Sequence, residues 1–180
     1  MRVTHYDSTQ QISTQYQYRY DALNRRTTKR FVHTQDPAQN YSHHYLYDGN
    51  AIIAILDHEQ NLLSTLTHAD STDTPLSITN ELTAETYYYH TDHQGSITHL
   101  TNSIGEIVET FAYDGTYGTI LEHHKTEETY NPYCYTGREF DSKELYYYRA
   151  RYYDPTIGRF ISQDPIEFLG EDNNFGSSKL

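Results

Sequence analysis

The sequence predicts an all-β chain, a series of antiparallel β-hairpins that together form a curved sheet. Three observations lead there. Rings and polar side chains alternate along extended stretches, which puts the rings on one face of a strand. One turn chemistry recurs between those stretches, an Asp or Asn followed three or four residues later by Gly or Asn. The first side chain can accept a backbone N–H ahead of it, and the second residue takes the left-handed conformation that other residues avoid. Helix signals are few, so helix should stay below about a quarter of the chain, under the usual third.

Along the chain, Tyr16, Tyr18 and Tyr20 share one face of the first clear strand, with Gln17 and Arg19 on the other. Asp21 to Asn24 closes its turn. Residues 34 to 42 read as a loose loop. Tyr45 and Tyr47 repeat the alternation, and Asp57 to Asn61 supplies the next turn. Residues 67 to 86, rich in Ser, Thr, Asp and Asn and holding Pro75, read as a second long loop. Turns follow at Asp92 to Gly95 and Asn102 to Gly105, flanked by Ile97 and Leu100, then by Ile107, Phe111 and Tyr113. Asp114 to Gly118 is the next turn. Residues 119 to 129 carry Glu122, His123, His124, Lys125, Glu127 and Glu128 on a weak apolar pattern and read as a polar excursion. Asp154 to Gly158 is the last turn. Val, Ile, Thr and Tyr between the turns are strand formers. Such units, about twenty residues apart, lean on their neighbours, and end units expose edges.

Composition explains how so polar a chain can order. Tyr supplies 20 residues against 6 Phe and no Trp. Low hydropathy with excess acid would otherwise suggest disorder, but Tyr buries an apolar ring while its hydroxyl stays hydrogen-bonded. The net charge of −12 is uneven. Residues 31 to 137 hold fifteen Asp and Glu against one basic residue, Lys125. Phosphate backbones require clustered Lys and Arg, so that belt repels nucleic acid and anionic membrane. The cations sit at the ends: Arg25, Arg26, Lys29 and Arg30 early, then Arg138, Lys143, Arg149, Arg151 and Arg159 late. Pairing with nearby acids is the expectation for the late group. Cys134 is the only cysteine, so no intramolecular disulfide or cysteine zinc cluster can form, and it reads as a small buried hydrophobe. The N-terminus has no apolar run of a signal peptide, and no stretch approaches the roughly 20 apolar residues that span a bilayer.

The run Tyr146-Tyr147-Tyr148-Arg149-Ala150-Arg151-Tyr152-Tyr153-Asp154-Pro155, continued by Gly158-Arg159-Phe160 and Asp164-Pro165, is long, ordered and odd in composition. It resembles the end of the Rhs repeat-associated core of bacterial polymorphic toxins. Tyr87 to Ser96, with His90, Asp92, His93 and Gly95, is similar to that core's opening. Tyr113-Asp114 with Gly118, and Tyr135-Thr136-Gly137 with Asp141, are similar to its intermediate steps. Upstream, Tyr18 to Arg26, with Tyr20, Asp21 and Asn24, resembles one tyrosine–aspartate (YD) repeat, and Tyr45 to Asn50 a weaker one. The resemblance implies YD repeats over 1–86, the core over 87–165 and a degenerate tail of the core motif over 166–180. It also implies the wall of a β-cage around a toxic C-terminal segment. The chain starts inside the repeat pattern and stops inside the core motif, so it is expected to be a piece of that architecture.

Candidate chemistry is sparse. The family core continues past Asp164 into a self-cleaving site with two carboxylates, one holding a proton while the other activates water. Asp164 matches the first. Gly170 and Asn173 fit the pattern, but Glu167 and Glu171 replace glycines, Phe175 stands in for Tyr, and no second Asp follows at the family's distance. Asp164 is therefore expected to be a remnant, with no catalytic residue. His90, His93 and His99 invite a metal, but a turn separates the first two and no thiolate joins them, so no metal and no cofactor are expected. Ser96 and Ser162 sit in no nucleophile elbow. The expected function is a non-catalytic shell piece. Its partners would be other shell parts or an enclosed toxin, it would be cytoplasmic before export by a dedicated system or larger carrier, and neither nucleic acid nor a membrane span would be involved. Two alternatives stay open. Tyrosine faces beside Asp and Asn could bind carbohydrate as a surface adhesin, or the core could be a self-cleaving aspartyl protease.

Overall fold

Each strand of the larger sheet pairs with its immediate neighbours in sequence. The computed structural model describes residues 2–6, 12–70, 73–126, 130–141 and 145–163. The larger sheet takes β1 (Arg2–Tyr6), β2 (Ile12–Tyr20), β3 (Arg26–His33), β4 (Tyr41–Asp48), β5 (Ala51–Leu56), β6 (Leu62–His68), β7 (Pro75–Asn80), β8 (Glu85–Thr91), β9 (Ile97–Thr101), β10 (Ile107–Tyr113) and β11 (Ile120–Lys125) in chain order. These eleven strands form one antiparallel meander. A second, four-stranded sheet follows: β12 (Glu139–Phe140), β13 (Tyr146–Tyr148), β14 (Arg151–Asp154) and β15 (Arg159–Phe160). Among the described residues the only helical pieces are two 3-10 turns, Pro37–Gln39 and Tyr135–Gly137. The chain is nearly all antiparallel β, as its alternation predicts.

The expected turn chemistry is present in repeated form. At Asp92, the Gly95 N–H reaches the Asp92 carbonyl and the Asp92 N–H reaches the Ser96 carbonyl. The Asp92 carboxylate accepts from the N–H groups of Gln94 and Ser96 at 2.8 and 2.9 Å. Asp21, Asp57 and Asn102 make the same four bonds in their own turns. This is a tight turn followed by a left-handed residue and a bulge, and the strand register shifts beside each one. The left-handed residue is Asn24, Gly95 and Gly105 in three of them. In the fourth it is Gln60 and not the expected Asn61. The Asp57 bonds hold the loop closed around a residue that sequence rules do not favour there. Gly118 and Gly158 also lie at positive φ.

Three expected irregular stretches are corrected. Residues 67 to 86 contain the end of β6, all of β7 and the start of β8. Four of their Ser and Thr form cross-strand pairs: Thr67 with Ser77 at 2.7 Å and Thr79 with Thr86 at 2.9 Å. Pro75 opens its strand, where no ladder N–H is needed. Residues 41 and 42 already belong to β4, while the preceding loop holds the 3-10 turn capped by Asp36. The polar excursion at 119–129 holds β11. Only Ile120 of this strand is half-buried against the core; the rest is exposed, with His123 stacked on Phe111 at 4.5 Å and bonded to the buried Glu109 at 2.8 Å, so no apolar alternation marks it.

The two faces of the meander differ. One carries Tyr18, Tyr45, Ile52, Ile55, Leu66, Ile78, Tyr87, Tyr89, Ile97, Leu100 and Phe111, all buried. The other carries Thr, Ser, Gln, His and Arg, with exposed Leu46 and Tyr88 among them. The small sheet and the segment before it cover the apolar face, where Tyr133, Cys134 and Tyr146 join the same core. Two glycines separate space from backbone strain. A Cβ on Gly137, at φ +67°, would sit 2.1 Å from the Asp73 carbonyl oxygen. A Cβ on Gly105, at φ +85°, would meet nothing within 4 Å. Gly105→Ala should therefore cost about 1–2 kcal/mol in urea unfolding, the left-handed penalty alone. Gly137→Ala should cost clearly more, because a backbone oxygen must move as well.

Candidate functional site: the seam between the sheets

The contact that joins the two sheets is built from charges. Arg26 opens β3 on the covered face, register-paired with Tyr20. It is 1% exposed and makes ion pairs with Glu139 and Asp141 from the small-sheet side. Lys29, three residues further along β3 and brought onto the same face by the register shift between Arg26 and Thr28, reaches Asp141 at 2.9 Å, and the Tyr18 hydroxyl donates to the same carboxylate at 2.9 Å. Two cations thus meet two carboxylates in a buried site. The Arg26 guanidinium also lies 4.4 Å from the Tyr147 ring centre and 5.3 Å from that of Tyr18. Burial works against its charge, but Glu139 and Asp141 more than reverse this, so its pKa lies well above the ordinary value. Burial dominates at Lys29 and lowers its pKa despite Asp141.

Tyrosines flank the ionic core. The Tyr20 and Tyr152 hydroxyls are 3.1 Å apart, and Tyr147 donates to the Asn24 carbonyl at 3.2 Å. At the far end, Tyr146 donates to the Gly118 carbonyl at 2.8 Å and Tyr153 to the Tyr117 carbonyl at 3.1 Å. Rings pack while hydroxyls reach across to backbone oxygens. Gly118 must be bare, since a Cβ there would lie 2.3 Å from the Tyr135 ring. Gly158 is similarly close to the Tyr117 ring. Between these ends the Ile97 N–H donates to the Cys134 carbonyl at 3.0 Å, a backbone tie between sheet and small-sheet segment.

Most of the motif residues lie either at the seam or in turns. Tyr20, Asn24, Gly118, Gly137, Tyr152, Tyr153 and Gly158 lie at the seam. Asp21, Asp92, Gly95, Asp114 and Asp154 close turns. At Asp114 desolvation raises the carboxyl pKa, but the N–H groups of Tyr117, Gly118 and Thr119 overcome it and hold it below the usual range. Asp154 accepts from the Thr156 N–H at 2.8 Å. Of the late cations, Arg149 and Arg138 both bind Asp73, at 2.6 and 2.8 Å. Their partner comes from far along the chain. The Arg151 guanidinium lies 3.7 Å from the Phe160 ring centre, and Arg159 is exposed in β15, opposite Asp154. His90 stacks face to face on His99 across β8 and β9 at 4.3 Å, and His93 is exposed in its turn. Among the described residues no three His, Cys, Asp or Glu are grouped to hold a metal. Cys134 is buried, and burial with Glu109 nearby pushes its thiol pKa up. Ser96 is buried and accepts from the Thr136 N–H at 3.2 Å. Asp164 lies outside the described residues.

Sequence reasoning missed Arg26, Lys29, Glu139 and Asp141 as one unit. The available signal was weak: a basic cluster at one end of an acidic chain and a Glu-x-Asp alternation at the other.

An eleven-strand hairpin array whose tyrosine face is closed by a second sheet defines a shell wall of YD repeats. The Teneurin YD-shell family model matches residues 2–173, and the chain belongs to that family. It is 31% identical over 124 residues to the tRNA nuclease WapA of Bacillus subtilis (strain 168), covering 67% of this chain and 5% of that protein. It is 41% identical over 83 residues to Salivary gland surface protein 1 of Aedes aegypti, covering 44% of this chain and 2% of that one. The fold is similar to the crystal structure of TcdB2-TccC3 without its hypervariable C-terminal region, with a TM-score of 0.65 and 21% identity over 92% of this chain and 9% of that one. The chain thus spans a small part of the proteins it matches. Among the described residues no helix is long and apolar enough to cross a membrane.

Two predictions test the seam. Arg26→Met leaves Glu139 and Asp141 facing Lys29 alone, so chemical unfolding should show a loss of about 3–5 kcal/mol. Arg26→Met/Glu139→Leu keeps a balanced Lys29–Asp141 pair and should lose less than the single variant. The second concerns His43, packed between Tyr41, tilted at 4.6 Å, and Tyr130, edge-on at 4.7 Å. Burial, then Lys29, Arg26 and His44, push its pKa down to about 4 from 6.5. The unfolded chain takes up that proton first, so stability falls as pH drops from 6.5 towards 4 and levels below. The loss should be about 3 kcal/mol. His43→Phe keeps the packing and should flatten the melting curve against pH across that window. Part of the slope will remain, because burial also lowers the pKa of His68 and His99.

Proposed function

We propose that this chain is a non-catalytic wall segment of an Rhs-type shell that encloses a toxic C-terminal segment. The observation that carries the reading is the closed tyrosine face of an unbroken meander. Among the described residues the larger sheet ends at two edge strands, β1 and β11, each with one side where further strands of a shell can add. The buried side chains that carry reactive groups, Cys134, Ser96 and Glu109, are engaged in packing or hydrogen bonds, which supports a structural role. Its partners are other parts of the shell and the enclosed segment. Export by a dedicated system or a larger carrier fits that role.

Protease protection tests this on the full encoded polypeptide in which the wall occurs. The segment C-terminal to the wall should survive digestion that removes it when it is expressed alone. Equal digestion rates in the two settings would refute enclosure. The purified chain should also stay at its full mass after long incubation near pH 5 and should leave tRNA and DNA uncut. A product lost in Asp164→Asn would restore the self-cleaving protease, once acid hydrolysis at Asp154-Pro155 and Asp164-Pro165 is excluded.

A further inference from the structure

The early cations divide by face. Arg25 pairs with Asp21 at 2.7 Å, while Arg26 and Lys29 are buried in the seam. Arg19 and Arg30 point the other way. Both are exposed, and neither forms an ion pair among the described residues. They stand on the uncovered face in two adjacent rows. Gln17, Arg30 and Ser42 are opposite one another across β2, β3 and β4, and Arg19, Thr28 and His44 form the next row. The two guanidiniums are therefore diagonal neighbours, a separation of about 7–8 Å at the strand level. These six residues floor a groove of about 480 Å³ with Asn40, Tyr41 and His58 at its margin, and among the described residues no Asp or Glu lines it.

We propose that this groove binds a phosphate monoester carried on a small polar stem. In a chain of net charge −12, two guanidiniums held together without a carboxylate leave a local positive charge that an anion would neutralise. Guanidinium forks match phosphate oxygens with two parallel donors each. Thr28 and Ser42 add hydroxyl donors, and the Gln17 and Asn40 amides serve the stem. The volume lies within the range of small-molecule sites, about 300–1,000 Å³, and exceeds what a bare oxyanion fills. The acidic belt disfavours a long polyanion crossing it, which selects a monoester over a nucleic-acid strand. The site is on the face opposite the seam, so it does not depend on the contact between the two sheets.

Calorimetric titration of the intact chain with phosphoserine, glycerol 3-phosphate, AMP and inorganic phosphate tests this at low salt. One of the three esters should bind saturably at one site with a dissociation constant near or below about 1 mM. Arg19→Gln and Arg30→Gln should each weaken it by about tenfold or more. Both side chains are exposed, so melting should be unchanged, and Arg159→Gln, an exposed guanidinium of the small sheet, should bind as the wild type does. The preferred ester identifies the stem. No saturable binding by any ester would overturn the proposal, as would equal binding of free phosphate, equal loss in Arg159→Gln, or tighter binding of a single-stranded oligonucleotide.

Discussion

The structure depends on a buried guanidinium. Arg26 is taken out of water on β3 and held between Glu139 and Asp141, which belong to a segment more than a hundred residues further on. Burying one such charge alone would cost several kcal/mol. The cost is offset because two cations and two carboxylates balance, and the Tyr18 hydroxyl donates to the same Asp141 oxygen that Lys29 contacts. Such a cluster is weak as a source of net stability and strong as a constraint. A small sheet docked one strand away from this position would leave four charges unpaired. The cluster therefore sets where the second sheet sits on the first, a specificity that apolar packing alone does not supply.

Tyrosine makes the rest of that arrangement workable. A wall of thin hairpins has few aliphatic side chains, yet both its sheets must be covered on one face. Tyr146, Tyr147 and Tyr153 each bury a ring and then use the hydroxyl to satisfy a backbone carbonyl of the larger sheet. Phenylalanine would leave those turn carbonyls without a donor. The carbonyls in question belong to Gly118, Asn24 and Tyr117, all in or beside turns. Turn chemistry and seam chemistry are thus coupled: the Asx side chain closes the hairpin, and the closed hairpin presents an oxygen to a tyrosine. The same logic explains why Gly118 and Gly158 are bare, since aromatic rings lie against both.

Much of this was legible in the sequence, for local reasons. Alternation of Tyr16, Tyr18 and Tyr20, and the spacing from Asp92 to Gly95, are properties of short windows, and the strands and turns they specify are present. Strands β7 and β11 were hidden because each turns little apolar surface inward, Ile78 in one and Ile120 in the other, and their remaining cross-strand bonds are polar: Thr79 bonds Thr86 and His123 bonds Glu109. A hydrophobic pattern cannot report a strand stabilised in that way. Gln60 in the left-handed position was hidden because the four bonds of the Asp57 turn, and not its own preference, place it there. The seam was the least legible part. Arg26 with Asp141, and Arg149 with Asp73, are contacts of long sequence separation, and no local window contains both partners.

Native-state hydrogen exchange in rising urea tests most directly whether the buried charges bind the two sheets into one unit. The amides of Cys134, Phe140 and Asp141, bonded to Arg138, Pro132 and Leu145, report the small-sheet side. The amides of β3 and β4 report the meander. If the seam governs both, the two sets should merge into one opening with the same free energy and the same dependence on urea. A small-sheet set that exchanges through its own opening, at lower free energy and with little urea dependence, would show that the second sheet detaches independently and would contradict the account.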